Sequence, residues 1–348
     1  MSERERPTIA DVARHAGVSK GLVSFALNNR PGVSEHTRAR ILESASSLGW
    51  TPSVRGRSFS TGRSFACGLV IGRSTDVIAA DPFFHSFIAG LEDVFATEGQ
   101  VLVLAVATPG RHEAETYRGL AGDNRVDGVV ITDLRAGDAR IALVSELGLA
   151  AVTLGTPDVA SPYPAVSVND GGGIRAAVRH LVDLGHQSIA HVAGPDSMLH
   201  GRHRTDAFLA EAAEAGVDTQ VVTTDFSAGQ GAEATRALLV GPARPTAIVY
   251  SNDHMAVAGL GVAQRLGLSV PRDLSITGFD DTELGRHLNP ALTSVATDAR
   301  TWGALAARTL LDHIVDKRSE NVALPEPRLT VRESTGPIDS PARAPGRT

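Results

Sequence analysis

The amino-acid sequence predicts an N-terminal all-α domain followed by a larger α/β domain of two lobes, each built on a parallel, doubly wound sheet. Three short stretches with helical periodicity lie within the first 50 residues. Beyond residue 65, continuous apolar runs such as VLVLAVA and VDGVVIT alternate with helical segments, which is typical of parallel sheets covered by helices. A chain of 348 residues also exceeds one ordinary hydrophobic core, so a small domain and a two-lobed domain are expected.

The first domain is predicted from its helix boundaries. Thr8 and Asp11 have the spacing of a capping box, and Gly17 ends the helix that they begin. Ser19 is placed to cap a second helix, and a third helix ends before Gly49. Two short helices joined by a tight turn are typical of a helix-turn-helix unit, although any small three-helix bundle shows the same spacing.

Charge is distributed unevenly along the chain. The net charge is −6, yet residues 1–63 contain ten lysines and arginines against five acidic residues, which leaves −11 on the remainder. The excess of positive charge indicates a polyanionic partner for the first domain alone.

Several classes of protein are disfavoured by the composition and motifs. The single cysteine, Cys67, permits neither an intrachain disulfide nor a multi-cysteine metal site. The charged start, MSERERPTIAD, lacks the apolar run of a signal peptide, and no apolar stretch of 18 residues follows. The nucleophile elbow, the phosphate-binding loop and the HExxH motif are missing from the sequence. We therefore expect a cytoplasmic protein that is not an enzyme, contacts no membrane and needs no metal or cofactor.

The opening segment carries a specific resemblance. TIADVARHAGVSKGLVSFALNNRPGVSEHTRARILESASSLGWTPS, with its spacing of DVA, AGVS and VSEHTR, resembles the N-terminal domain of the lactose-repressor (LacI/GalR) family of bacterial transcription regulators. The resemblance implies a partner of double-stranded operator DNA, read by the second helix in the major groove. It implies DNA contacts from Thr8, Ser19, Lys20, Gly21, Ser24, Phe25 and Asn28.

The stretch PSVRGRSFS resembles the hinge helix of the same family. That resemblance implies a helix that orders on DNA and inserts Phe59 into the minor groove, with Arg55 and Arg57 facing phosphates or the narrow groove. So short a segment is not stable as an isolated helix, and Gly56 weakens it further. An ordinary flexible linker fits this composition equally well, so both interpretations stay open.

Later segments resemble the effector domain of this family, which is similar to periplasmic sugar-binding proteins. The matching stretches are DPFFHSFIAGLEDVFATEG, SNDHMAVAGLGVAQRLGLSVPRDLSITGFDDTE and PALTSVATD. The predicted organisation is a helix-turn-helix domain over 1–51, a hinge over 52–63, an effector-binding and dimerisation domain over 64–334 and a disordered tail over 335–348. Lobe 1 is expected at about 64–167 and 297–321, and lobe 2 at about 168–296 and 322–334.

Ligands of this fold bind between the lobes, at the carboxyl ends of the strands. The motif match assigns Arg204, Asn252 and Asp280 to that cleft, where an arginine fork, an amide and a carboxylate suit sugar hydroxyls. Phe83, Phe84 and Phe226 are the candidates for packing against a sugar ring. Burial in the lobe core is the alternative for Phe83 and Phe84.

Other polar residues near these motifs have competing assignments. Asp253 is better placed to cap a helix than to bind ligand, and either Asn169 or Asp170 faces the cleft. His200 and His203 flank Arg204 and are expected to be exposed.

The resemblance implies a homodimeric regulator, expected to be a repressor, whose operator affinity a small effector controls by changing the arrangement of the lobes. A sugar is the expected effector, and a nucleobase or a phosphorylated metabolite is the alternative because the same fold hosts these too. The sequence does not tell whether the effector releases the protein from DNA or strengthens its binding. The tail lacks leucine heptads, so a dimer rather than a tetramer is expected. A transport-type sugar-binding protein has no use for residues 8–60, and a sugar-processing enzyme needs a nucleophile or acid/base pair that the motifs do not supply.

Phe25 predicts a change in operator preference, because the family usually has an arginine there that reads guanine through a bidentate contact. We expect Phe25→Arg to shift the DNA selected from random duplexes towards guanine at one position of each half-site, with discrimination of roughly 1–3 kcal/mol. Identical selected sequences for both proteins would contradict this assignment.

Overall fold

The computed structural model describes residues 7–27, 31–50, 61–108 and 111–338. The chain divides into two compact units, Met1–Phe65 and Ala66–Thr348. The predicted DNA-contacting residues Asn28, Arg55, Arg57 and Phe59, the hinge segment 52–60 and tail residues 339–348 lie outside the described ranges.

The first unit contains three helices in its described part. They are α1 (Ile9–His15), α2 (Lys20–Leu27) and α3 (Glu35–Ser47). The Asp11 carboxylate accepts hydrogen bonds from the Thr8 N–H at 2.9 Å and the Thr8 hydroxyl at 2.7 Å, which fixes the start of α1. Ser19 Oγ accepts from the Leu22 N–H at 3.2 Å at the start of α2. The three helices enclose a small apolar core of Val12, Ala13, Ala16, Val23, Ala26, Ile41 and Ala45.

The second unit begins with lobe 1, in which strands and helices alternate. The elements are β1 (Ala66–Ile71), α4 (Thr75–Ala80), α5 (Pro82–Phe95), β2 (Val101–Val106), α6 (Arg111–Gly122), β3 (Gly128–Ile131), α7 (Ala139–Glu146), β4 (Ala150–Leu154) and β5 (Ala165–Ser167).

The chain then enters lobe 2, which repeats this alternation. Its elements are α8 (Asp170–Asp183), β6 (Ser188–Ala193), α9 (Leu199–Ala215), β7 (Asp218–Thr223), α10 (Ala228–Val240), β8 (Ala247–Tyr250), α11 (Asp253–Arg265), β9 (Ser275–Asp280), α12 (Glu283–Arg286) and β10 (Thr293–Ala296). The last elements are α13 (Ala299–Asp316), β11 (Val322–Ala323) and β12 (Arg328–Thr330).

Two six-stranded sheets result, as the alternating pattern predicts. The strand order is β11-β5-β4-β3-β1-β2 in lobe 1 and β12-β10-β9-β8-β6-β7 in lobe 2. All pairs are parallel except β10 with β12, which is antiparallel. Because both faces of each sheet are covered by helices, the central strands are buried throughout, for example Ala66–Ile71.

The return of the chain between lobes differs slightly from the sequence prediction. β11 pairs with β5, with Val322 beside Val166, so residues 322–323 belong to the sheet of lobe 1 rather than to lobe 2. β12 joins lobe 2, with Leu329 beside Val295. The last crossing therefore follows Ala323, because two residues of strand are enough to complete the lobe 1 sheet edge.

The start of the predicted disordered tail also needs correction. Thr335 Oγ1 lies 2.9 Å from His180 Nε2, and the Gly336 N–H donates to Ser275 Oγ at 3.1 Å. The Ile338 N–H donates to the Leu184 carbonyl. Residues 335–338 are thus held on lobe 2 by its own polar groups, a pairing that the Pro- and Gly-rich composition did not reveal.

Close helix packing in lobe 1 predicts a measurable cost for one methyl group. A Cβ at Gly303 of α13 would collide with the Phe87 carbonyl of α5, whereas a Cβ at Gly119 of α6 meets nothing within 4 Å. We expect Gly303→Ala to lower the free energy of unfolding by about 1–3 kcal/mol. Its matched control, Gly119→Ala, should raise it by up to about 1 kcal/mol through helix propensity. Chemical denaturation of both variants checks this expectation. Equal denaturation midpoints for Gly303→Ala and Gly119→Ala would contradict the close contact between α13 and α5.

Candidate ligand-binding cleft and DNA-contacting surface

A cavity of about 220 Å³ lies between the two lobes. Its walls come from segments that follow the strands, since Arg73 lies just beyond β1, Asp133 beyond β3 and Asn252 beyond β8. Parallel sheets place the carboxyl ends of their strands at one edge, and here the edges of both sheets face the same space. The cleft predicted from the fold is therefore present.

Arg73 and Asp133 form an ion pair in the lobe 1 wall. The guanidinium donates Nε to Asp133 Oδ2 at 2.7 Å and Nη2 to Oδ1 at 2.5 Å. Nη1 lies 3.7 Å from Asp81 Oδ2. Burial acts to raise the pKa of Asp133, but the charge and hydrogen bonds of Arg73 outweigh it and lower that pKa to about 2. Asp133 is therefore ionised whenever the cleft is formed near neutral pH.

Arg204 and Asp170 form the corresponding pair in lobe 2. Arg204 donates Nη2 and Nε to Asp170 Oδ1 at 2.6 and 3.1 Å, and Nη1 to the Ser251 carbonyl at 2.6 Å. Its guanidinium carbon lies 3.8 Å from the centre of the Phe279 ring. The predicted cleft residue Arg204 thus lines the cavity, with all three of its nitrogens already donating to protein.

Asp280 differs from the other cleft carboxylates. It lines the cavity at the end of β9, and its side chain accepts no hydrogen bond from the residues that the structure describes. Burial raises the pKa of Asp280 well above its usual range, and the charge of Arg204 opposes this only in part. The backbone holds Asp280 at φ +112°, a conformation that is rare for a residue with a side chain. An acceptor with no protein partner is thereby aimed at the space where a ligand fits.

The aromatic wall of lobe 1 only partly matches the prediction. Phe83 lines the cavity, stacked on Phe87 with ring centres 5.7 Å apart. Trp302 also lines it, held by a hydrogen bond of 2.9 Å from Nε1 to the Val166 carbonyl. Phe84 does not line the cavity, because it is 1% exposed in the lobe core and lies beneath the guanidinium of Arg73. The assignment of Phe84 to ligand contact is therefore wrong.

Phe226 and His200 form the aromatic part of the lobe 2 wall. Their rings are nearly parallel with centres 5.2 Å apart, and both line the cavity. Phe226 is at φ +71° and its ring covers Gly194, where a Cβ would collide with it. Burial, assisted by the charge of Arg204, lowers the pKa of His200 to about 4, so the ring is neutral near pH 7. The expectation that His200 is exposed is wrong, whereas His203 is exposed at the cavity rim.

The neighbouring residues Asn252 and Asp253 have different roles in the structure. Asn252, not Asp253, caps α11, since its Oδ1 accepts from the Met255 N–H at 2.9 Å while its Nδ2 donates to the Phe226 carbonyl. Asp253 is buried instead beside Ser294 and Thr282. Burial raises the pKa of Asp253 to about 6 against these hydrogen bonds.

Asn169 and Asp170 also have different roles, and only one of them faces the cleft. Asn169 caps α8 through the Gly172 N–H and donates to Glu326, so it is Asp170 that lines the cavity.

The sequence did not predict four of the residues that line the cavity, namely Arg73, Asp81, Asp133 and Trp302. The positions of Arg73 and Asp133 just after β1 and β3 were the available signal, because cleft residues follow strand ends.

Backbone contacts join the lobes at the rim of the cleft. The Leu199 N–H donates to the Leu134 carbonyl at 2.8 Å, and Arg135 and Met198 form an antiparallel bridge. Arg140 braces the lobe 1 side of this contact by donating Nη2 to the carbonyls of Thr132 and Asp133 at 2.9 Å each. The relative arrangement of the lobes thus depends on contacts beside the ligand cavity.

The predicted DNA-contacting residues that the structure describes in the first unit are mostly exposed. Lys20 and Gly21 are exposed on α2, Phe25 is 43% exposed, and Ser24 is half-buried. Thr8 and Ser19 are exposed at the starts of α1 and α2. The described part of this set is accessible, as a contact with a nucleic acid requires.

The residues that the structure describes form neither a metal-binding cluster nor a membrane-spanning helix. Across the described ranges there is no group of three or more His, Cys, Asp or Glu side chains that could hold a metal ion. Within the same ranges, every helix is too short or too polar to cross a membrane.

Comparisons with known proteins agree with this architecture. Residues 8–53 match the family described as bacterial regulatory proteins, lacI family, and residues 178–335 match the periplasmic binding protein-like domain. The HTH-type transcriptional regulator CelR of Thermobifida fusca is 32% identical over 342 residues, which cover 96% of this chain and 100% of CelR. A solved complex of CelR with cellobiose superposes with a TM-score of 0.72 at 31% identity, covering 94% of this chain and 100% of that one. A lac repressor dimer bound to operator and the anti-inducer ONPF gives a TM-score of 0.81 at 26% identity, covering 95% and 100%.

A buried histidine behind the cleft predicts a dependence of stability on pH. His191 Nδ1 donates to the Val249 carbonyl at 2.9 Å, so Nε2 accepts from Ser251 Oγ, and burial lowers the pKa of His191 to about 4. Unfolding exposes a histidine that binds a proton below pH 6.5, so the stability that His191 supplies is complete above 6.5 and is lost as pH falls towards 4. We expect His191→Asn to lose about 2 kcal/mol more stability at pH 7 than at pH 4.5. Denaturation at both pH values measures this, and an equal loss would show that His191 is not held neutral.

Proposed function

This chain belongs to the lacI family of bacterial regulatory proteins, and on that premise we propose that it is a sequence-specific transcriptional repressor whose affinity for operator DNA is controlled by a sugar bound between its lobes. One observation carries the proposal: a helix-turn-helix unit with an accessible second helix shares a chain with a cleft that presents an unpartnered carboxylate, Asp280, beside aromatic rings. The two features suit two ligands, DNA and a small polyol.

The chemistry of the cleft favours a sugar. Asp280 accepts hydrogen bonds from hydroxyl groups, and Asn252 retains one amide hydrogen after capping α11 and bonding to the Phe226 carbonyl. Trp302 and Phe83 supply apolar surface for the carbon face of a sugar ring. The relative CelR, solved with cellobiose, supports this class of ligand.

Binding without catalysis is the function that the carboxylates support. Glycoside hydrolysis uses two carboxyl groups, one as acid and one as nucleophile or base. In this cleft Asp133 and Asp170 are each committed to an arginine. Asp81 accepts the Phe83 N–H through Oδ1, and its Oδ2 lies 3.7 Å from Arg73 Nη1, so Asp280 has no second uncommitted carboxylate beside it. We therefore infer that the protein is a regulator and not a sugar-processing enzyme, and that it works in the cytoplasm where its DNA is.

The regulatory step is a linkage between two sites. One helix-turn-helix unit reaches one half-site, so we propose that a homodimer binds a near-palindromic operator. A sugar that contacts both walls of the cleft stabilises one arrangement of the lobes, and operator affinity changes with it. The lac repressor dimer solved on its operator supports this assembly.

Gel-shift titration of the protein with duplexes selected from a random library, with and without a panel of neutral sugars, tests the proposal. We expect tight binding to a two-fold symmetric sequence, a steep loss of affinity with salt, and a change of affinity with one sugar. Absence of sequence-specific binding would refute the regulator, and a sugar-independent affinity would refute the sugar-controlled mechanism.

Asp280→Asn separates effector binding from folding and DNA binding. Because Asp280 has no hydrogen-bond partner among the described residues, the variant should unfold at the same temperature as the wild type or higher. We expect sugar affinity to fall by roughly 10–100-fold, as for a buried hydrogen-bonding group that is left without its partner. The control Asp218→Asn removes an exposed carboxylate at the opposite end of the lobe 2 sheet and should change neither. Calorimetric titration measures both affinities, and wild-type affinity in Asp280→Asn would remove this residue from the site.

A further inference from the structure

Acidic side chains outnumber basic ones in the lining of the cleft. Six ionisable side chains define this cleft charge cluster, namely the acidic Asp81, Asp133, Asp170 and Asp280 and the basic Arg73 and Arg204. His200 also lines the cavity and is neutral near pH 7 because burial lowers its pKa to about 4. Burial raises the pKa of Asp280 well above its usual range and also raises the pKa of Asp81. The cluster therefore carries two negative charges in excess when all six groups are ionised, and no net charge when these two carboxyl groups are protonated. In neither state does it carry an excess of positive charge.

Neither arginine has charge to spare for an anionic ligand. Arg73 directs Nε and Nη2 to Asp133, and its Nη1 faces Asp81. Arg204 directs two nitrogens to Asp170 and the third to the Ser251 carbonyl. Both guanidinium groups line the cavity but are 90% or more buried as side chains, and the charge of each is already balanced by a carboxylate at hydrogen-bond distance.

The helix starts around the cleft are closed to anions as well. Helix N-termini commonly bind phosphate through free N–H groups. Here Asp81 Oδ1 accepts from the Phe83 N–H at the start of α5, at 3.0 Å. Asn169 and Asn252 cap α8 and α11 in the same way. The protein's own side chains, one of them a carboxylate, thus occupy the positions at which a phosphate would bind.

We propose that the cleft admits saccharides without negative charge and excludes phosphorylated and carboxylated ones, and that Asp133 sets this preference by neutralising Arg73. The inference rests on the proposed function, because it names the class of sugar that the same site takes. An anionic group that enters this cavity loses its hydration and finds both arginines already paired with carboxylates. This uncompensated desolvation weakens binding by about 100-fold or more.

Matched pairs of sugars test the inference on the full-length protein. Cellobiose, glucose and other neutral mono- and disaccharides are compared with their 6-phosphates and their uronate or aldonate forms by thermal unfolding and then by calorimetric titration. We expect at least about 100-fold weaker binding of the anionic partner of any neutral sugar that binds. An anionic form that binds within tenfold of its neutral partner, or in its place, overturns the charge preference while the sugar-controlled function stands. If neither the neutral nor the anionic form of any sugar binds, both the proposed sugar-controlled function and this inference are wrong.

Asp133→Asn tests the role of Asp133 itself. Asparagine tolerates the positive φ of +51° at this position, so the fold of the loop is retained. The substitution removes the carboxylate that accepts two hydrogen bonds from Arg73 and leaves Asp81, whose Oδ2 lies 3.7 Å from Nη1, as its ion-pair partner. Because Arg73 is then less fully neutralised, we expect the ratio of neutral to anionic affinity to fall by at least about tenfold. Asp218→Asn, which makes the same change of charge on the exposed start of β7, should leave the ratio unaltered. If Asp133→Asn has the same ratio of neutral to anionic affinity as the wild type, Asp133 does not set the preference. The ratio measured for the wild type tests the charge preference itself, independently of the variant.

Discussion

The cleft depends on two buried ion pairs, Arg73 with Asp133 in lobe 1 and Arg204 with Asp170 in lobe 2. Each pair places a positive and a negative charge in the buried wall of the cavity, where an unpaired charge costs several kcal/mol. Neither guanidinium can turn towards a ligand without leaving its carboxylate unpaired. The pairs therefore fix the shape of both walls and leave Asp280 as the polar group that a ligand must satisfy.

Sheet topology is what brings these groups together. Arg73 and Asp133 follow β1 and β3, which are neighbours in the lobe 1 sheet, and their carboxyl ends meet at one edge. Arg204 lies on α9 and reaches the Ser251 carbonyl beyond β8. Since the same edges carry the backbone bridge between Arg135 and Met198, ligand contacts and lobe contacts share one region. That proximity is the physical basis for an effector that changes the arrangement of the lobes.

The sequence predicted the architecture well because apolar runs and helical periodicity are local signals. It also assigned Arg204, Asn252 and Asp280 to the cleft, where the structure has them, because each stands in a specific motif. Sequence could not reveal the Arg73–Asp133 pair, whose members are 60 residues apart and meet only through strand pairing. Adjacent residues on one helix point in different directions, which is why Phe83 lines the cleft while Phe84 is buried.

The central claim is that cleft and operator are energetically linked, and reciprocity tests it most directly. The dissociation constant of the effective sugar is measured by calorimetric titration of the free protein and of the protein saturated with operator DNA. Linkage predicts that the two constants differ, by roughly 5–150-fold, and by the same factor by which the sugar changes operator affinity. Equal sugar affinities for the free and operator-bound protein would contradict the account, because a ligand that does not distinguish two states cannot shift their balance.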